Sequence, residues 1–174
     1  MALVAFPASA SAAVISIGSG FAESCYRAAE DRNASRTAMD NCNKAMAEEG
    51  LADHDRVATH VNRGILYLIR GNVREANSDF DAALKLDPTE ADAWLNKAVV
   101  HARFGDSTAA MPFVAKALEL KTRRPALAYF VRAMAYEDSG NIPAAYYDLK
   151  RAQSLEPKWH EPVAELQRFQ VRRP

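Results

Sequence analysis

Three glycines restrict what this chain can fold into more than any other feature. Gly71, Gly105 and Gly140 stand 34 and 35 residues apart. Each is followed five residues later by an alanine (Ala76, Ala110, Ala145), and seven further on by another (Ala83, Ala117, Ala152). Pro88 and Pro157 close the first and third units, and Pro125 follows the second after the polar run of Lys121, Thr122, Arg123 and Arg124. Self-similarity at such a period points to a stack of like units, each burying its apolar face against the next.

The physics of one unit is readable. Over residues 57–70 and again over 73–86, apolar and small side chains recur at steps of three and four, the period of an amphipathic helix. Between the two runs, Gly71 and Asn72 supply a residue that tolerates positive φ, ending one helix and permitting a tight turn. Gly105 with Asp106 and Gly140 with Asn141 repeat the device, Asp or Asn then standing where the second helix is capped. Gly64, Ala76 and Ala83 are small because two antiparallel helices approach closely there, with Tyr67 and Phe80 filling the space beside them. Leu86, Asp87 and Pro88 stop the second helix, since proline disfavours a helical residue before it.

At these positions the chain resembles the tetratricopeptide repeat. In residues 57–90, Gly64, Tyr67, Gly71, Ala76, Phe80, Ala83 and Pro88 stand at that family's signature places. Residues 91–125 carry Trp94, Ala98, Gly105, Ala110 and Ala117, with Val114 where an aromatic is usual. Residues 126–158 carry Tyr129, Ala133, Tyr136, Gly140, Ala145, Leu149, Ala152 and Pro157. Pro112 is expected inside the second helix of the middle unit, at the expense of a backbone hydrogen bond. The resemblance implies an all-α fold, an α-solenoid of helix-turn-helix repeats over residues 21–174.

A degenerate unit is expected over residues 21–55. Asn33, Ala38, Cys42 and Ala45 reproduce the turn-plus-small-residue skeleton, with Asn33 replacing glycine at the turn. Ser35 is placed to cap the helix that follows, and residues 48–55 form a polar connection. Val163, Leu166 and Phe169 recur at three-residue steps, which predicts a capping helix over residues 160–170 that covers the last apolar face.

Cys25 and Cys42 lie eight residues before and nine after Asn33. Near-equal distances from a hairpin turn set two residues opposite each other, so a disulfide is geometrically sound. The other reading is a pair of small buried apolar residues. Neither cysteine has a histidine near it in sequence, and helix interiors seldom lower a thiol's pKa, so no catalytic thiolate is expected. His54, His60, His101 and His160 form no metal-binding pattern, and His60 and His101 sit at packing positions. No phosphate loop, nucleophile elbow or glycine-rich fingerprint is present. No enzyme, metal or cofactor is expected.

Composition narrows the partners. The 174 residues hold 22 Lys+Arg against 22 Asp+Glu, without the basic excess of a nucleic-acid binder. No apolar run reaches the length of a membrane-spanning helix. Residues 1–20 carry no charge, and residues 8–12 alternate Ala and Ser in small-x-small triplets of the kind a signal peptidase accepts. This segment reads as a signal peptide lacking its basic start, or as a disordered leader. Export to a periplasmic or secreted setting would suit a disulfide; a cytoplasmic adaptor is the alternative.

The resemblance also implies that the first helices line a concave groove. Its lining would be Val61, Ile65 and Leu68 from the first repeat, Leu95 and Val99 from the second, and Phe130 and Met134 from the third. The version of the family that clamps a C-terminal carboxylate uses Lys, Arg and Asn from such places. Asn62 and Asn96 are present here, but the lysines are not, so that clamp is not expected. An apolar groove of this size calls for a cover. The candidates are an amphipathic helix or apolar segment of a protein partner, a terminal segment of the chain, a second copy forming a homodimer, or a small apolar ligand. The expectation is a non-catalytic protein–protein interaction scaffold whose binding depends little on salt.

Overall fold

The structure, a computed structural model, describes residues 20–169. The expected leader, apart from Gly20, lies outside the described residues. Helices α1 (Phe21–Glu30) and α2 (Arg36–Glu48) form one antiparallel hairpin, and α3 (Asp53–Ile69) and α4 (Val73–Leu86) the next. Then come α5 (Ala91–Phe104), a short 3-10 turn (Ser107–Ala110) and α6 (Met111–Glu119). Helices α7 (Pro125–Asp138) and α8 (Ile142–Leu155) make the fourth hairpin, and α9 (His160–Leu166) packs on α8.

Each second helix packs on its own first helix and on the first helix of the following hairpin. The first helices also touch one another, α1 with α3, α3 with α5 and α5 with α7, whereas no two second helices make a substantial contact. A layer whose members approach more closely lies on the inside of a curve. Helices α1, α3, α5 and α7 therefore form the inner face of the stack.

The small residues do what their spacing predicts. Ala76, Ala83, Ala110, Ala117, Ala145 and Ala152 are all buried. A Cβ built on Gly64 would come within 2.5 Å of the Phe80 ring, itself fully buried. Gly64→Ala gains helix propensity worth about 1 kcal/mol, but it forces a core ring aside at a cost of about 1–3 kcal/mol. The expected net loss is about 1 kcal/mol, seen as a lower urea midpoint with an unchanged m-value. A raised midpoint would show that Phe80 yields freely.

The turns depart from expectation at two places. The residue with positive φ in the first hairpin is Arg32 (φ 53°), not Asn33. Its amide donates to the Ala29 carbonyl and that of Asn33 to the Ala28 carbonyl, matching Gly71 (φ 78°) and Gly140 (φ 79°) at the later hairpin turns. Asn33 instead accepts from the Ser35 amide, and Ser35 caps α2 by accepting from Ala38. Gly105 is extended (φ −138°), because Asp106 opens a 3-10 turn in which its carboxylate accepts from the Thr108 amide at 2.9 Å. That turn displaces the start of α6, so Pro112 falls in its first turn, where no intrahelical hydrogen bond is lost.

The ends differ too. Helix α3 begins at Asp53, and its first-turn Asp53 and Asp55 favour the positive end of the helix dipole, shortening the expected polar connection. Helix α9 stops at Leu166 instead of near residue 170. Leu166 and Phe169 still pack on the main core, which also takes in Trp159, its ring 4.9 Å from that of Phe130.

Cys25 and Cys42 are joined in a disulfide, their Cα atoms 4.8 Å apart. Both are fully buried in a cluster with Ala28, Ala29, Ala38, Met39 and Leu66 of α3. The crosslink thus lies within the surface that seats the first hairpin on the second. The N-terminus of α1 is closed by the Glu49 carboxylate, which accepts from the amides of Phe21 and Ala22.

Candidate functional site

The inner face is the surface to which the sequence assigned partner contacts. Of the seven residues expected to line it, Val61, Leu68, Leu95, Val99 and Phe130 are buried. Val61 packs with Val57, Ala83, Leu84 and Ala93 between α3, α4 and α5. Leu68, Leu95, Val99 and Phe130 belong to the main core. These five are covered by neighbouring helices. Ile65 and Met134 remain half-buried, as does Ala102 of α5. The three come from α3, α5 and α7, and all pack against the same core cluster.

Ion pairs that the repeat pattern did not single out hold the hairpins together. Arg63 on α3 grips Asp79 on α4 with two bonds, Nε to Oδ2 at 2.8 Å and Nη2 to Oδ1 at 2.7 Å. His60 Nδ1 stands 2.9 Å from the same Oδ1, and Arg63 also donates to Asn43 of α2. In the fourth hairpin Arg132 grips Asp148 in the same bidentate way, at 2.6 and 2.9 Å. Both pairs span 16 residues, a spacing that would have revealed them had charged as well as apolar positions been compared between repeats. At the matching places of the middle repeat, Lys97 lies 5.4 Å from the ring centre of Phe113, which takes the aspartate's position, and pairs with Asp81 of α4. The His101 ring stacks on Phe113 at 4.8 Å, so both inner histidines have structural partners. Burial pushes the Asp79 carboxyl up, but hydrogen bonds from Arg63 and His60 outweigh it and hold it below the ordinary range.

A polar zone lies where the 121–124 connection meets the start of α5. The buried Asp92 carboxylate accepts from Thr122 Oγ1, from the Arg123 amide and from Arg123 Nε. Arg123 also reaches Glu90, whose carboxyl is pushed up by burial. Lys121 ends α6 at positive φ (59°), bringing Thr122 and Arg123 over Asp92.

Among the described residues no group of three or more His, Cys, Asp and Glu is arranged to hold a metal, and no helix is long and apolar enough to cross a membrane.

Stacked two-helix units with first helices inside define the molecule as an α-solenoid. A sequence model of the tetratricopeptide repeat matches residues 61–126. The chain is also 31% identical over 70 residues to Tetratricopeptide repeat protein 37 of Xenopus laevis, a match covering 34% of this chain and 4% of that protein. Over residues 61–126 the chain is similar to tetratricopeptide repeat proteins. Domains of this family generally mediate protein–protein interaction as scaffolds without chemistry of their own.

Proposed function

We propose that the chain is a non-catalytic interaction module that holds a protein segment against its inner face and works outside the cytoplasm. One observation carries the reading: Ile65, Ala102 and Met134, one from each of three successive first helices, are apolar, half-buried and rooted in a single core cluster. Side chains that are anchored at the base and open at the tip can complete their burial against a partner without any rearrangement of the core. The contact zone is narrower than the seven-residue groove expected from the repeat pattern, with Val61, Leu95 and Phe130 serving as its foundation. The Cys25–Cys42 disulfide supports an oxidising compartment, and the uncharged, Ala- and Ser-rich residues 1–20 fit an export segment.

The test is Ile65→Glu combined with Met134→Glu. Both positions reach solvent, so the variant is expected to keep its helical circular dichroism and cooperative unfolding. A partner recovered by affinity purification from native cells with the unaltered protein should be lost. Undiminished recovery with a folded variant would remove the inner face from the interaction.

A further inference from the structure

Asn33 is displayed as no other asparagine of this chain is. The sequence holds eight asparagines, and only Asn33 has Ser or Thr two residues further on, in the run Asn33, Ala34, Ser35. Asparagine with a hydroxyl residue at that distance, and no proline between, is the acceptor pattern for N-linked sugar. Three matching positions arise readily by chance, so the backbone decides what the run can do.

The spacing acts through geometry. An amide nitrogen is a poor nucleophile, because its lone pair is shared with the carbonyl. A transferase must therefore grip the acceptor, and the hydroxyl is a handle only if it points the same way as the carboxamide. Extended backbone puts residues i and i+2 on one side, whereas a helix turns them apart. Residues 33–35 lie between α1 and α2 and belong to neither, and Ser35 is extended (φ −63°, ψ 166°). Ala34 is half-buried and packs on the disulfide cluster, while Asn33 and Ser35 on either side of it are exposed. In the second and fourth hairpins the helix begins directly after Asn72 and Asn141, at Val73 and Ile142, so neither has such a segment. In the first hairpin Ser35 caps α2 in the asparagine's place. Asn33 Oδ1 accepts from the Ser35 amide at 3.2 Å, and Nδ2 donates to nothing among the described residues. The atom that would react is thus unengaged.

We propose that Asn33 is an N-glycosylation site that takes its glycan from a lipid-linked oligosaccharide pyrophosphate. The proposal rests on the reading that the chain works outside the cytoplasm, the setting that also suits the Cys25–Cys42 disulfide. In the transfer a bond forms between Asn33 Nδ2 and C1 of the first sugar. The bond from C1 to the pyrophosphate oxygen breaks, and its electron pair leaves with the lipid pyrophosphate. Nδ2 gives up one proton, and nothing is oxidised or reduced. Freeing the Ser35 hydroxyl opens one 3.2 Å bond, to the Ala38 amide at the end of α2, so neither helix has to unfold.

The experiment is mass spectrometry of the full chain purified from native cells, with free thiols alkylated at lysis. The peptide spanning Asn33 should carry a glycan, seen as a heavier parent ion that sheds sugar fragments. Asn33→Gln keeps Ser35 as the cap of α2 and should return the chain to the mass of its polypeptide alone. Ser35→Thr preserves both hydroxyl and cap, so the glycan should stay, whereas Ser35→Ala should remove it. Circular dichroism checks that each variant is folded. An unmodified Asn33 peptide, from a chain whose cysteines are bonded, would overturn the proposal and leave the compartment reading standing. An unmodified peptide with both cysteines alkylated would remove the two readings together. A glycan that survives Asn33→Gln would also overturn the proposal.

Discussion

Asp79→Ala should destabilise the protein by about 3–5 kcal/mol, the cost of removing one partner from a buried ion pair. Asp79 is 4% exposed and accepts two bonds from Arg63, with His60 on the same oxygen. Its removal strands a guanidinium that also ties α3 to Asn43 of α2. Against a typical total stability of about 5–15 kcal/mol, the urea midpoint should fall by about a fifth or more. Replacing Arg63 and Asp79 together with leucine should cost much less, because no charge is then left buried without a counter-charge. A loss below about 1 kcal/mol for Asp79→Ala would mean that Arg63 escapes into water.

The same residue sets an acid limit. Its folded-state pKa lies below its unfolded value, so its contribution is fully present above the unfolded pKa, about 3.9, and is lost as pH falls through the depressed folded one. Melting temperatures between pH 6 and pH 2 should therefore fall less steeply for Asp79→Ala than for the unaltered chain.

The second large effect concerns the disulfide. Cys25 and Cys42 are 17 residues apart, and in the chain-entropy picture such a crosslink contributes about 3 kcal/mol. In a solenoid each unit answers chiefly to its neighbours, so the loss should be local. Reduction should speed amide hydrogen exchange in α1 and α2, with little change in α5 to α8. Even acceleration along the chain would mean that the stack unfolds as one body. No change in α1 and α2 would mean that packing against Leu66 alone secures the hairpin.

The helical hairpins were legible because apolar period, glycine turns and closing prolines agree across three units. What escaped notice is instructive residue by residue. Arg32 could not be placed at positive φ from its identity, since arginine has no preference for that region and Asn33 beside it does. The 3-10 turn before α6 arises from an Asp106 cap that also serves an α-helix start, so the sequence signal fits both. At the candidate site, the repeat pattern led to the expectation that Val61, Leu95 and Phe130 line the inner face, whereas all three are buried. Their burial depends on how closely neighbouring first helices approach, which no single helix encodes.

The crosslink between α1 and α2 also changes how the molecule would respond to a pull along its chain. The 17 residue steps from Cys25 to Cys42 stay looped out of the load path, hiding about 55 Å of extended length that the other hairpins would release on unravelling. Under oxidising conditions tension entering from the N-terminal side therefore passes almost directly from Cys25 to Cys42 and on into α3. The first hairpin behaves as a short inextensible link, and reduction would turn it into slack.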